Sequence, residues 1–72
     1  MKLRIGSKCA KTLDDGRRLV LEIKDIRLST PPMPVVGLTI ERHLDGQIDT
    51  LRIIVEQLFE WTSDEGWTVI EE

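Results

Sequence analysis

The chain predicts a mainly β fold: a small five-stranded antiparallel barrel with one helical turn before its last strand. Three observations carry that expectation. Asp45-Gly46 stands at the centre of residues 36–55, whose two arms match in register. Asp14-Asp15-Gly16 and Ser63-Asp64-Glu65-Gly66 supply two further turn signals. Between the turns, apolar and polar residues alternate as they do in half-buried strands.

Residues 3–13 form the first expected strand, interrupted by Gly6. The Asp14-Asp15-Gly16 loop returns the chain, with Gly16 in the positive-φ position of a three-residue turn with a bulge. That loop sets Lys8 opposite Glu22 and Cys9 opposite Leu21. Residues 17–28 form the second strand. Leu19, Leu21 and Ile23 alternate, then Ile26 and Leu28 resume on the opposite parity. A bulge near Lys24-Asp25 restores them to one face and bends the strand. Ser29-Thr30-Pro31-Pro32-Met33-Pro34 interrupts regular structure, because proline lacks the N–H donor and fixes φ. It contains a Pro-x-x-Pro pattern, short and common, and is read as a stiff connector.

A type I′ turn needs positive φ at both central residues, which Asp-Gly supplies. Folding there pairs Leu44 with Gln47, Arg42 with Asp49, Ile40 with Leu51, Leu38 with Ile53 and Val36 with Val55. These lie on one face. His43 with Ile48, Glu41 with Thr50 and Thr39 with Arg52 lie on the other. A one-residue slip destroys the match.

Residues 48–62 support two readings. On a helical wheel Ile48, Leu51, Ile54, Val55, Leu58, Phe59 and Trp61 share an arc opposite Asp49, Arg52, Glu56, Gln57 and Glu60. The β-branched run Ile53-Ile54-Val55 and the hairpin register favour a strand to about Val55 instead. A tight helical turn at Glu56-Gln57-Leu58, a short strand at 59–62 and a closing strand at 67–70 then follow. That element order resembles SH3-like small barrels in architecture, and no family motif accompanies it. The alternative is α+β: a three-stranded antiparallel sheet packed by a C-terminal helix at about 48–62.

Seventy-two residues make one domain, 1–72, with a modest core. With 40% hydrophobic and 32% charged residues the chain is expected to fold. One cysteine, Cys9, allows no internal disulfide, and no signal-peptide or bilayer-spanning run is present. The expected compartment is the cytoplasm, with no membrane contact. The net charge of −3 is split: residues 1–30 carry eight Lys and Arg against four acids, and residues 31–72 carry two against nine. Neighbouring strands that neutralise one another explain this most simply. A basic face for a polyanion or head-to-tail self-association would also produce it.

Catalytic and metal-binding patterns are not found. His43 is the only histidine and is read as a solvated residue near the turn. One His and one Cys do not make an ordinary zinc site. Lys8 and Lys11 flank Cys9 and could lower its pKa, but a small inward-facing strand residue is the simpler reading. Ser7 and Ser29 lie in no nucleophile elbow, the glycines form no phosphate loop, and the acids belong to turns. No cofactor is expected.

The aromatic residues, Phe59, Trp61 and Trp67, all lie in the last fourteen residues, in the acidic half. Stacking on single-stranded nucleic acid needs aromatics among basic residues. The expected function is therefore that of a small non-enzymatic interaction or regulatory domain, binding a protein partner or copies of itself. Its candidate contact residues are Trp61, Trp67 and Phe59, with Lys2, Arg4, Lys8, Lys11, Arg17 and Arg18 of the basic half. A nucleic-acid-binding small barrel that contacts phosphates through the basic half is one alternative. An enzyme subunit with an active site formed only between protomers is another.

Overall fold

The computed structural model describes residues 3–30, 32–64 and 66–71. The elements follow as β1 (Lys8–Thr12), β2 (Arg18–Ser29), β3 (Val35–Leu44), β4 (Gln47–Ile54), α1 (Val55–Thr62) and β5 (Thr68–Glu71). The strands form one antiparallel sheet in the order β4-β3-β2-β1-β5.

The hairpins follow from their turns. Asp45 (φ 53°) and Gly46 (φ 74°) both occupy the left-handed region, as a type I′ turn requires. The β3–β4 register then runs from Leu44 opposite Gln47 to Gly37 opposite Ile54, with Ile40 facing Leu51 and Leu38 facing Ile53. The Val36–Val55 pair is absent, because β4 ends at Ile54 and Val55 opens α1. Between β1 and β2, Leu13 N–H donates to Arg17 O (2.7 Å) and Gly16 N–H to Leu13 O (2.9 Å). This closes a three-residue loop and places Lys8 opposite Glu22 and Cys9 opposite Leu21. In β2, Ile23 faces Ile40 and Asp25 faces Thr39. Lys24 is therefore the extra residue of a bulge, and Ile26 returns to the inner face against Leu38.

Four expectations are corrected. The sheet is open: β4 and β5 are its edges, and no pairing between them closes a barrel. The C-terminal helix is longer than one turn, and 59–62 is helical rather than a strand. Its inward residues, Val55, Leu58 and Trp61, recur at helical spacing, while Glu56, Phe59 and Glu60 face out. The helix ends where Thr62 Oγ1 donates to Leu58 O (2.9 Å) and Ser63 Oγ to Glu60 O (2.7 Å). The first strand is shorter than 3–13. Residues 4–6 turn before β1, although Gly6 N–H still donates to Ile23 O and Ile23 N–H to Ser7 O. The closing strand begins at Thr68 rather than Trp67. Pro31 of the Pro-x-x-Pro pattern, Glu65 of the third turn and Lys2 lie outside the described residues.

The two sheet faces differ. Cys9, Leu21, Ile23, Leu38 and Ile40 form the inner face under Leu58, with Leu19, Ile26, Val36, Ile53, Val55, Trp61 and Trp67 around them. Alternation sends Ala10, Val20, Glu22, Glu41, His43 and Ile48 to the opposite face, which no helix among the described residues covers. No helix is long and apolar enough to cross a membrane.

Candidate partner-binding groove

The inner face of the sheet extends past the end of α1. Trp61 stands in the last helical turn, and Trp67 follows the turn that leads into β5. Register sets Lys11 opposite Leu19 and Leu21 opposite Arg42. Together Lys11, Leu13, Leu19, Leu21, Arg42, Trp61, Asp64 and Trp67 line a groove of about 240 Å³. Both indoles are partly buried against the core, so they are wall and floor at once. A second hollow of about 110 Å³, between Cys9, Thr62, Trp67, Thr68 and Val69, shares the Trp67 wall and leads toward the edge strand β5.

The charged groups at the groove differ in what they already bind. Arg42 donates through both Nε (3.2 Å) and Nη2 to the Asp49 carboxylate. That bidentate hydrogen bond holds the Asp49 carboxyl below the usual carboxylate range. Lys11 has no ion-pair partner among the described residues, and its aliphatic stem lies beside Gly66, 3.7–3.8 Å from where a Cβ there would stand. It is a cation resting on an apolar rim. Three other concavities are larger; that of about 350 Å³, beside Lys11, Leu13, Asp14, Asp15 and Arg17, flanks the β1–β2 loop, and the remaining two are less suited to a ligand. One, near Arg17, Leu44 and Ile48, is rimmed by Arg17–Asp45 and Arg42–Asp49 pairs. The other, near Gly37 and Ile53, is rimmed by Asp25, which Arg27 already holds at 2.8 Å.

The remaining expected contact residues are dispersed. Phe59 is 50% exposed on the outer side of α1, away from the core. Arg4 is exposed ahead of β1, and Arg18 is exposed at the start of β2. Lys8 pairs with Glu71 at 3.2 Å, and that hydrogen bond raises the Lys8 pKa. Arg17 is held by Asp15 (2.7 Å) and Asp45 (3.1 Å). Two of these pairs, Lys8–Glu71 and Arg17–Asp45, join the basic half to the acidic half. Lys8 and Arg18 project to the open face and Lys11 to the helix face, so the basic residues do not form one surface. Cys9 is buried, and burial pushes its thiol pKa up, against the lowering that its lysine neighbours suggested.

Sequence reasoning placed Lys11 and the tryptophans in separate halves and missed that the fold brings them together. The Leu13, Leu19 and Arg42 contributions were hidden for the same reason: they meet only through cross-strand register. His43 also differs from its sequence reading. It is partly buried beside Glu41 and Glu22, because alternation puts Glu41 and His43 on one face and the β2–β3 register sets Glu22 against Glu41. The Glu-x-His spacing was the available signal. No known protein family matches this chain, and no curated protein or solved structure matches it.

Proposed function

We propose that this chain is a small non-enzymatic interaction domain that holds a protein partner at the Trp61–Trp67 groove. The observation that supports it is a concave apolar surface, walled by two partly buried indoles and rimmed by Lys11. Small-molecule pockets span about 300–1,000 Å³. At about 240 Å³ the groove suits one or two side chains of a polypeptide better than a whole ligand. Tryptophan gives large contact area and is enriched at binding hot spots. The free edge of β5 beside the groove offers backbone N–H and C=O groups to an extended segment. Main-chain hydrogen bonds along β5 would supply affinity, and an apolar anchor in the groove would supply specificity. The dispersal and pairing of the basic residues gives less support to phosphate binding. The expected cytoplasmic setting belongs to the same reading.

A displayed library of random peptides, selected on the intact chain, tests this. The expected result is a set of peptides with a shared large apolar residue that bind the wild type. Binding should fall at least about tenfold with Trp61→Ala, and fall with Lys11→Glu, a rim substitution that leaves the core intact. Sedimentation at low and high salt distinguishes self-association. Peptides that bind Trp61→Ala and Lys11→Glu as well as wild type would refute the groove.

A further inference from the structure

On the sheet face opposite α1, away from the groove, we infer that Glu22, Glu41 and His43 form a binding site for a divalent transition cation of the zinc class. The three side chains come from adjacent strands, Glu22 from β2 and Glu41 and His43 from β3. One ligand atom of each lies within 4.8 Å of the others. His43 Nε2 is 3.0 Å from Glu41 Oε1 and 4.0 Å from Glu22 Oε1.

Two physical features single this cluster out. The first is the state of Nε2. The atom is shut off from solvent although the ring is 35% exposed, and it makes no hydrogen bond. Its contact with Glu41 is short enough for a hydrogen bond but too bent to be one. A buried polar atom without a partner is costly. A proton shared by two atoms must lie near the line between them. A cation about 2.1 Å from each of two atoms 3.0 Å apart sits roughly 45° off that line. Two ligands at that bond length are about 3.0–3.4 Å apart for angles between 90° and tetrahedral. The His43–Glu41 distance of 3.0 Å already fits this range, and the Glu22 carboxylate, 4.0 Å from Nε2 and within 4.8 Å of the other ligand atoms, must draw in to complete the site.

The second feature is Glu22 standing directly opposite Glu41. Like charges in that position repel. Lys24 Nζ lies 3.5 Å from Glu22 Oε2, which leaves Oε1 directed to the cluster. Lys8, opposite Glu22, is hydrogen-bonded to Glu71 at 3.2 Å and so offsets the Glu22 charge only in part. A divalent ion would balance both carboxylates and supply the missing partner of Nε2. One imidazole with two carboxylates suits zinc-class ions, and three protein ligands leave a further position for water or another donor.

Titration of the whole chain with zinc chloride, followed by calorimetry and by the His43 imidazole 15N resonances, tests the site. One equivalent is expected to bind with a shift of the His43 ring nitrogens. His43→Ala should weaken binding at least about tenfold. Glu41→Gln, which keeps side-chain size and so preserves the fold, should do the same. Cys9→Ser should leave the affinity unchanged, since Cys9 lies on the other face. No saturable binding at millimolar zinc, or one-equivalent binding unaltered by Glu41→Gln and His43→Ala, would overturn the inference.

Discussion

Leu58→Ala removes the one fully buried side chain of α1 (0% exposed), which shares the core cluster with Ile23, Leu38 and Ile40. An eight-residue helix is too short to persist alone, and this one starts without a side-chain cap. Packing therefore holds it in place, and Leu58 is the centre of that packing. Truncating a buried leucine to alanine costs about 2–5 kcal/mol. The helix forms a single layer over the sheet and can settle toward it, so the lower half of that range, about 2–3 kcal/mol, is expected. A domain of this size has roughly 4–11 kcal/mol of stability in total, so the loss is a large share. Urea unfolding followed by far-UV circular dichroism and tryptophan fluorescence measures it. With a slope near 1 kcal/mol/M, the midpoint falls by about 2 M or more. Exposed Glu60→Ala serves as the control and should stay within about 0.5 kcal/mol of wild type. A Leu58→Ala midpoint equal to that of Glu60→Ala would refute the claim that this helix is held by its core contact.

Three further outcomes follow from the same geometry. Gly46→Val places a β-branched residue at φ 74° and should cost about 1–3 kcal/mol, read as a lowered urea midpoint. Asp49, held below its ordinary pKa by Arg42, contributes stability that is present above about pH 4 and lost as pH falls through its lowered value. A carboxyl-detected NMR titration should show Asp49 titrating below a free aspartate, and Arg42→Gln should return it to the ordinary value. Buried Cys9, with its thiol pKa raised, should react with a disulfide reagent only when the fold opens. Leu58→Ala should therefore speed its labelling, and equal rates in both proteins would contradict the burial.

The features legible in the sequence were those fixed by local chemistry. Asp45-Gly46 sets a turn type, and the turn type sets the register of every pair out to Ile53 and Leu38. The parity switch in β2 likewise announced its bulge, because apolar residues must return to one face. What failed was the length of the helix that follows β4. Residues 48–62 carry a helical and a strand pattern together, and the molecule uses both in succession. The hairpin claims Ile48 to Ile54, and α1 takes Val55 to Thr62. The strand reading ended β4 at about Val55, one residue past the observed switch at Ile54, but it gave the helix only Glu56-Gln57-Leu58 before a further strand. Barrel closure failed with it, since the helix replaces the strand expected at 59–62. The groove and the Glu22–Glu41–His43 cluster were illegible for another reason. Each joins residues from separate strands, and only the assembled register reveals them.

The most direct test of the interaction reading uses the two indole N–H resonances of Trp61 and Trp67. The intact 15N-labelled chain is titrated with a peptide recovered by the selection described above. Both indole signals are expected to shift and to saturate together, with Lys11 and Leu13 amides following. Shifts confined to the β4 edge or the open face, with both indoles unmoved at saturation, would contradict the account.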